Sequence, residues 1–298
     1  MITSLNDLYD AVKEKPVKKI AIATPEDEGI IKLVKNTTEI GIAKFILVGD
    51  ASKIRELLHA EGLDDALFEI QHADSHKEAA ERAVSLVLEG KATVVMKGEL
   101  HTSVFLKAVL DKERGLRTGN LVSQITVTEK VEGEGLLMFT DCAMNIAPTL
   151  EEKKQIIENA VGLAVKLGYA RPKVAVLSAV ELVNPAMPDT LDAAILSKMA
   201  DRGQIEHAIV DGPFALDNAI SITAARQKKI AGDVAGRADI VLVPNLLVGN
   251  VIHKGLTYLA GKRIAAAVMG AKVPIVMTSR ADTTDTKLLS IAIATYIS

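Results

Sequence analysis

Short apolar runs alternate with longer amphipathic runs along most of the chain, and this alternation constrains the fold more than any other feature. Four apolar runs in the first hundred residues have the length of a buried strand: residues 19–23, 44–48, 68–72 and 93–96. A segment with the pattern of a helix follows each of them. Strands and helices that alternate in this way are typical of βαβ units, in which helices cover a mostly parallel sheet. The sequence therefore predicts an α/β fold.

The alternation is interrupted in the middle of the chain. Residues 121–128 and 135–139 are rich in β-formers and are separated by a charged segment, which predicts a hairpin and a domain boundary. Thr149-Leu150-Glu151-Glu152 then forms a capping box at the start of a long helix. Because the alternation resumes at residue 173, we expect two α/β domains. Periodicity alone leaves open whether the last strand and helix extend the second sheet or return to the first.

Local signals give further expectations about individual elements. The Thr24-Pro25-Glu26-Asp27 segment has a hydroxyl cap and a proline suited to the first helical position, so it predicts a helix start. In the second half we expect a strand at residues 205–210, a turn at Asp211-Gly212-Pro213 and a helix over residues 216–230.

Composition narrows the class of protein. Of 298 residues 49% are hydrophobic, but only 3% are aromatic and tryptophan is absent. Small and branched aliphatic side chains must fill the interior, which suits helices packed on a parallel sheet. The formal net charge is -3 and no basic stripe is present, so we expect no nucleic-acid partner.

The location in the cell follows from the same kind of observation. The single cysteine, Cys142, excludes an intramolecular disulfide and a metal cluster of cysteines alone, and it fits a reducing cytoplasm. The N-terminus has no secretory signal pattern, and no uncharged run reaches the roughly 20 residues of a membrane helix. We expect a soluble cytoplasmic protein without a membrane partner.

Several standard signatures are absent from the sequence. It contains no Gly-x-Gly-x-x-Gly, Walker A, His-Glu-x-x-His or Gly-x-Ser-x-Gly pattern, so dinucleotide, P-loop, zincin and α/β-hydrolase sites lose support. Neither His101 nor His253 has a second ligand at a spacing typical of metal sites, and we predict no metal site.

Polar residues that follow predicted strands are the remaining candidates. The apolar run 273–277 ends at Thr278-Ser279-Arg280 before a helix, where free N–H groups favour a phosphate or carboxylate. Lys97 and Gly98 end another strand; Gly98 permits close backbone approach, and Thr102 or Ser103 could cap the next helix. An ordinary strand-to-helix turn explains this second segment equally well.

Two other strand ends carry polar groups. Asn245 and Asn250 lie near a helix start, where capping alone would explain one of them. The Cys142 thiol would be a nucleophile only if its pKa were lowered, and a small buried core residue is the simpler interpretation.

At these turns the sequence resembles the phosphate acyltransferases, the phosphate acetyltransferase and phosphate butyryltransferase family. The resemblance covers nearly the whole chain and rests on segments 97–102 (KGELHT), 140–145 (TDCAMN), 210–213 (VDGP), 234–239 (VAGRAD), 244–250 (PNLLVGN) and 278–280 (TSR). Segments 184–194, 196–204 and 279–282 look most like the butyryltransferase branch.

The resemblance implies reversible transfer of a short acyl group, butyryl or branched, between coenzyme A and inorganic phosphate, by direct attack in a ternary complex. Acyl-CoA, phosphate and acyl phosphate would be the small-molecule partners, with no permanently bound cofactor. It implies a fold similar to the isocitrate and isopropylmalate dehydrogenases, with the active site in the interdomain cleft. The domains would be residues 1–125 with 268–298, and residues 126–267, the latter forming a homodimer or higher homo-oligomer.

The resemblance also suggests roles for individual residues. Arg280 would bind phosphate because its planar fork matches phosphate oxygens, and Ser279 would donate to the oxyanion of the tetrahedral intermediate. The family's catalytic aspartate, seven residues after the serine, is replaced by Thr286. The carboxylate is one position earlier at Asp285, a displacement of roughly 100° around a helix, and Asp282 competes with it as the base.

Contacts to the coenzyme or phosphate are expected from residues at further family positions. The residues concerned are Lys97, Gly98, His101, Thr102, Arg117, Asn245, Asn250 and Arg280.

Three alternatives stay open from sequence. The chain could be a phosphate acetyltransferase, or a non-catalytic small-molecule-binding or regulatory domain of the same fold. A metal- and nicotinamide-dependent hydroxyacid dehydrogenase would share the architecture, but it needs a set of metal-binding aspartates that the sequence does not supply.

Overall fold

The computed structural model describes residues 1–279 and 281–298. These residues form two compact units: unit A contains Leu8–Asn120 and Ala265–Ser298, and unit B contains Met1–Asp7 and Leu121–Ile264. The N-terminal residues belong to unit B because the Ile2 N–H donates to Leu167 O (2.9 Å). Helix α1 (Leu5–Lys13) precedes the first strand. The sequence-based division at residues 125 and 268 stays a prediction about domains.

Unit A is built from strands that alternate with helices. Its elements are β1 (Lys18–Ala23), α2 (Glu28–Glu39), β2 (Ala43–Gly49), α3 (Ala51–Ala60), β3 (Glu69–His72), α4 (His76–Leu88), β4 (Val94–Lys97), α5 (Thr102–Val109), β10 (Ala265–Met269), β11 (Ile275–Val276) and α11 (Thr284–Ile297).

The strand order in unit A is β3-β2-β1-β4-β11-β10. All neighbours are parallel except the antiparallel pair β10 and β11. β4 therefore lies between β1 and β11, and the carboxyl ends of these three strands share one edge of the sheet. The last strand and helix belong to unit A, beside β4, as the resemblance implies.

Unit B has the elements β5 (Ser123–Glu129), β6 (Leu136–Thr140), α6 (Leu150–Lys166), β7 (Lys173–Leu177), α7 (Pro188–Asp201), β8 (Ile209–Phe214), α8 (Leu216–Ile220), α9 (Ile222–Gln227), β9 (Ile240–Leu242) and α10 (Leu246–Lys254). One turn of π-helix, Gly255–Leu259, continues α10.

The strand order in unit B is β5-β6-β9-β7-β8, and only β5 and β6 are antiparallel within it. The predicted hairpin is this β5–β6 pair. The capping box is also present, because Glu152 N–H donates to Thr149 Oγ1 and the Thr149 N–H donates to Glu152 Oε2. The α/β class with a mostly parallel sheet is confirmed.

Both units have aliphatic cores, as the composition requires. In unit A, Ile20 and Ile22 of β1, Leu47 of β2 and Ile31 of α2 are fully buried. In unit B the core around β7 and β9 includes Ala175, Leu177 and Val241. The rigid sheets position the loops at their carboxyl edges.

Three local predictions were wrong. α2 begins at Glu28, not beside Thr24, because Asp27 accepts the Ile30 N–H (2.9 Å) and caps the helix. Asp211-Gly212-Pro213 lies inside β8, where the lack of a Cβ lets Gly212 approach Val176 O of β7. Residues 216–230 form two short helices, because Ser221 interrupts them and caps the second.

Candidate active site

Three loops of unit A enclose a small polar cavity at the carboxyl edge of the sheet. They follow β1, β4 and β11, which lie side by side, and α11 contributes one further side chain. The cavity volume is about 140 Å³. The polar and charged residues that line it, together with Gly98, are Asp27, Lys97, Gly98, Glu99, Thr278, Ser279 and Lys287.

The loop after β4 packs directly on the end of β1. Gly98 N–H donates to Ala23 O (2.9 Å), and Glu99 N–H donates to Thr24 O (2.6 Å). A Cβ at Gly98 would overlap the Thr24 carbonyl oxygen, so only glycine fits here. Thr24 itself has a positive φ of 53°. The two loops are therefore held together by backbone contacts.

Lys97 places a buried cation at this loop. Its residue exposure is 8%, and its Nζ donates to Gly98 O (3.0 Å) and Leu100 O (3.1 Å). These two bonds bracket Glu99 and fix the backbone on either side of it. Lys97 thus positions the loop and also brings positive charge to the cavity, which favours an anion.

The loop after β11 presents Ser279 at the cavity. Ser279 N–H donates to Asp282 Oδ2 (2.6 Å), and Asp282 N–H donates to Ser279 O (3.1 Å). The Ala281 N–H also donates to Ser279 Oγ (3.3 Å). The Asp282 carboxylate therefore holds the turn that carries Ser279. Arg280, the expected phosphate ligand, lies outside the described residues.

Helix α11 begins immediately after this turn. Thr283 caps it by accepting the Thr286 N–H (3.1 Å), and Thr286 is buried. Asp285 lies in the first turn, whereas Lys287 is one of the residues that line the cavity. Neither Asp282 nor Asp285 belongs to the described residues lining the cavity. The helix therefore brings Lys287 to the wall of the cavity.

The remaining predicted residues of unit A lie around α5. His101 occupies the N-cap position without making a side-chain capping bond, so the expected cap at Thr102 or Ser103 was wrong. Thr102 starts α5, and both it and His101 are exposed. Arg117 pairs with Ala271 in an isolated β-bridge and is exposed.

Arg117 lines a second, open cavity of about 400 Å³ in unit A. Among the described residues, Lys107 on α5, Lys112 after it, Ser103 and one carboxylate, Asp111, also line this cavity. Three cations against one anion give the cavity a net positive charge. Such a surface attracts phosphate groups.

Asn245 and Asn250 lie in unit B. Asn245 caps α10 by accepting the Val248 N–H (3.1 Å), as the capping explanation expects. Asn250 is half-buried within α10. Asn245 also lines a cavity of about 600 Å³ at the ends of β7 and β9. The buried Lys153, paired with Asp192 at 2.6 Å, lines the same cavity.

The loop after β6 is anchored by a buried carboxylate. Asp141 is 2% exposed and accepts backbone N–H bonds from Gln124, Ala143, Met144 and Asn145, at 2.8–3.1 Å. The neighbouring Cys142 is also buried, and burial raises the pKa of its thiol to about 12. This is the opposite of the shift that activates a nucleophile, so the core interpretation of Cys142 is confirmed.

The cavity of unit A contains residues whose role sequence reasoning missed. Glu99 lies within the segment 97–102 singled out from sequence but was not assigned a role. Lys287 lies beyond the segments singled out, and Asp27 was taken as part of a helix start. Lys287 follows Ser279 by eight residues. Whether its side chain reaches the cavity depends on where α11 begins, and the sequence did not show this. Among the described residues, no group of three or more His, Cys, Asp or Glu could hold a metal ion.

No helix in the described part of the chain has the length and apolar character required to span a bilayer.

Comparison with known proteins identifies close relatives. The family model described as Phosphate acetyl/butaryl transferase matches residues 74–295. Phosphate butyryltransferase of Clostridium acetobutylicum is 47% identical over 100% of this chain and 99% of its own length. Phosphate acetyltransferase of Rickettsia prowazekii is 42% identical over 98% of this chain and 84% of its own length.

Solved structures agree with these relatives. A branched-chain phosphotransacylase from Enterococcus faecalis superposes with a TM-score of 0.83 and 34% identity, covering 94% of this chain and 98% of its own. A putative 4-hydroxythreonine-4-phosphate dehydrogenase from Salmonella typhimurium shares the fold alone, with a TM-score of 0.60 and 14% identity over 95% of this chain and 100% of its own. The expected dehydrogenase-like fold and the expected resemblance are confirmed. With a family model that spans three quarters of its length and a full-length relative at 47% identity, the chain belongs to the phosphate acetyl/butyryl transferase family.

Proposed function

We propose that this acyltransferase moves a short acyl group reversibly between coenzyme A and inorganic phosphate. The acyltransferase class follows from membership of the family. The observation that carries the proposal is the unit A cavity, where the Ser279 hydroxyl shares its walls with Lys97 and Lys287. A hydroxyl donor beside two cations suits a reaction that handles phosphate and develops an oxyanion.

The reaction proceeds by direct attack, without an acyl-enzyme. The coenzyme A sulfur attacks the carbonyl carbon of the acyl phosphate, and the carbonyl oxygen becomes an oxyanion. Ser279 Oγ–H donates to this oxyanion, and Arg280 and Lys287 hold the departing phosphate. The N–H groups at the start of α11 add to this stabilisation, since a helix N-terminus favours negative charge. The buried, protonated thiol of Cys142 supports a route that bypasses the cysteine.

A further role is that of the residue that accepts the proton of the coenzyme A thiol. Asp285, with Asp282 as its competitor, is the assignment that follows from the family's spacing. The bond from the Ser279 N–H gives Asp282 a holding role in the turn. Asp285 therefore keeps its proposed role as the base.

Coenzyme A is the acyl carrier, and its phosphates require cations at a distance from its thiol. The open unit A cavity, with Lys107, Lys112 and Arg117, supplies them. Along the chain, helix α5 follows the loop of the Ser279 cavity and leads to this open cavity. The helix has eight residues and spans about 12 Å. Gly98 lines the Ser279 cavity, and His101 and Thr102 follow it along the chain before the open cavity. We assign this strip to the coenzyme. The coenzyme contacts expected of Asn245 and Asn250, which belong to unit B, stay predictions.

Butyryl or branched short chains are the preferred acyl groups. The full-length relative at 47% identity is named a phosphate butyryltransferase, and the structural relative at 34% identity is a branched-chain phosphotransacylase. Phosphate acetyltransferases at 42% identity favour acetyl as the second candidate. One methylene changes binding in an apolar pocket by only about 1–3 kcal/mol, so the preference is a matter of degree.

A homodimer formed through unit B completes the proposal. Helix α10 and the π-helical turn after it expose apolar side chains: Leu247, Val251, Tyr258 and Leu259. Leu247 and Val251 are four residues apart and lie on one helix face. Large exposed apolar side chains are enriched at subunit interfaces.

A series of coenzyme A thioesters tests the proposed activity. Thiol release is measured with acetyl-, propionyl-, butyryl- and isobutyryl-CoA, each with and without phosphate. We expect phosphate-dependent release, with the highest kcat/KM for butyryl- or isobutyryl-CoA. A maximum at acetyl-CoA would assign the chain to the acetyltransferases. If none of the four thioesters releases its thiol, a non-catalytic binding domain would be favoured.

A further inference from the structure

Helix α11 carries one polar residue, Ser290, in the middle of an apolar run. Leu288 and Leu289 precede it, and residues 291–294 (IAIA) follow it. Ser290 is fully buried, so its hydroxyl is removed from water. A buried hydroxyl is costly unless it makes hydrogen bonds inside the protein. The partners of this hydroxyl therefore indicate why a polar residue occupies the position.

Ser290 Oγ both donates and accepts a hydrogen bond. It donates to Thr286 O at 2.7 Å, one turn earlier in the same helix, and it accepts the Ala266 N–H of β10 at 2.9 Å. The first bond is the ordinary back-bond of a helical serine and could form in an isolated helix. The second bond joins the helix to the sheet of unit A. It gives α11 a directional contact with β10, which non-directional apolar packing does not supply.

Further contacts lead from Thr286 back to the Ser279 cavity. The Thr286 N–H donates to Oγ1 of Thr283, the N-cap of α11, at 3.1 Å. The residue before this cap, Asp282, accepts the Ser279 N–H at 2.6 Å. A continuous series of short hydrogen bonds and neighbouring residues therefore joins β10 to the turn that carries Ser279.

Lys287 depends on the same placement of the helix. It follows Thr286 directly and lines the Ser279 cavity. A helix turns by roughly 100° per residue, so a rotation or shift of the start of α11 would carry Lys287 away from the cavity wall. A misplacement of about 1 Å in a catalytic group can cost about 100-fold in rate.

We propose that Ser290 is a positioning residue for acyl transfer, an inference that rests on the proposed function. By holding the start of α11 against β10, its hydroxyl keeps Ser279 and Lys287 at the cavity. Ser290 is not among the described residues that line the cavity. It acts through α11 and not by contact with the substrates.

Removal of the hydroxyl tests the proposal. Ser290→Ala loses both bonds and leaves the Ala266 N–H without this acceptor. With butyryl-CoA and phosphate as substrates, we expect kcat to fall roughly tenfold or more and KM for phosphate to rise, because Ser279 and Lys287 are displaced. KM for butyryl-CoA should stay within about twofold, since the contacts assigned to the coenzyme lie along α5. Ser290→Thr keeps a hydroxyl and should recover most of kcat, although its extra methyl group costs some stability.

Thr295→Val is the matched control in the same helix. Thr295 is also buried, but its hydroxyl donates to Ile291 O (2.8 Å) and Ala292 O (3.0 Å) of α11 itself. The variant loses a buried hydroxyl and should keep the wild-type kinetic constants. Equal constants in Ser290→Ala and Thr295→Val would overturn the positioning role. If Ser290→Ala does not fold, Ser290→Cys serves instead, because a thiol donates and accepts only weakly and should give the same pattern.

Hydrogen exchange tests the contact without reference to activity. In Ser290→Ala, but not in Thr295→Val, the amides of β10 and of the first turn of α11 should exchange at least about tenfold faster. Unchanged exchange in both segments would overturn the proposal even if turnover falls. A wild-type chain without any acyl transfer would overturn the proposed function and the catalytic part of this inference, whereas the exchange difference would persist.

Discussion

Gly98 lies between the buried Lys97 and the cavity residue Glu99, in a loop that packs against the end of β1. A methyl group there would overlap the Thr24 carbonyl oxygen. The added Cβ is fixed to the Gly98 backbone and the oxygen belongs to the Thr24 backbone, so neither group can rotate away. The close approach of the β1 and β4 loops therefore depends on this one missing side chain.

Gly98→Ala should destabilise the chain by at least about 2 kcal/mol, as overpacking and backbone strain do. It should also reduce turnover, since the shifted loop lines the Ser279 cavity. Urea unfolding measures the first effect. Gly162→Ala in α6 is the control: apart from the backbone of its own helix, no atom lies within 4 Å of the added Cβ, and the change should stabilise by about 0.5–1 kcal/mol. Equal effects at the two glycines would contradict the packing described for Gly98.

The buried thiol of Cys142 makes a prediction about pH. Its native pKa is raised to about 12 by burial, so above the unfolded value of about 8.5 the unfolded chain releases a proton that the native chain retains. The thiol's contribution to stability is therefore complete below about pH 8 and is lost as pH rises, by up to about 1.4 kcal/mol per pH unit.

Cys142→Ala removes this dependence. The free energy of unfolding of the wild type, relative to the variant, should fall by about 2 kcal/mol between pH 7.5 and pH 10. Turnover of the variant at pH 7.5 should stay within about threefold of wild type. Loss of all activity in a folded variant would contradict direct transfer, because it would indicate an acyl-cysteine.

Residue type and strand ends were enough to single out Ser279, Lys97 and Gly98, and the structure brings these three to one cavity. Glu99 and Lys287 were not assigned from sequence. Whether they reach the cavity depends on the order β1-β4-β11 and on where α11 begins, and neither follows from local periodicity. The role of Lys287, like that of Arg280, stays a proposal.

At the scale of elements, the turn between β11 and α11 determines where Ser279 points. The Asp282 carboxylate joins the two ends of this turn through the Ser279 N–H. An asparagine oxygen could accept the same bond, whereas an alanine could not.

Asp282→Asn should therefore keep most of the wild-type turnover, and Asp282→Ala should lose roughly tenfold more, with both retaining the wild-type pH profile. Steady-state kinetics of the two variants across pH provide the measurement. If Asp282 were the proton acceptor, Asn and Ala would lose similar activity, and both would recover at alkaline pH.

The elements themselves differ in how well sequence predicts them. The alternation of apolar and amphipathic runs predicted β1 to β4 and the hairpin, because each strand is a short apolar run with turn residues at its ends. The start of α2 was harder to predict, because Thr24 and Asp27 are both residue types that cap helices. In the structure the cap is Asp27. β8 extends through Asp211-Gly212-Pro213 because pairing with β7 overrides the turn propensity of those residues.

For the whole molecule, the exposed apolar face of α10 predicts self-association. Val251→Asp combined with Leu259→Asp should shift the chain from dimer to monomer in analytical ultracentrifugation, because charges at the centre of an apolar interface remain desolvated and unpaired. Leu67→Asp is the control, since Leu67 is as exposed as Leu247 but lies in unit A. A wild type that sediments as a monomer, or a control that dissociates equally, would contradict the interface.

The central claim is that phosphate, not water, receives the acyl group at the Ser279 cavity. The most direct measurement follows butyryl-CoA and phosphate by ³¹P NMR while the released thiol is titrated. We predict one acyl phosphate formed for each thiol released, with the rate reduced at least about 100-fold in Ser279→Ala. Thiol release without acyl phosphate, or an unchanged rate in Ser279→Ala, would contradict the account.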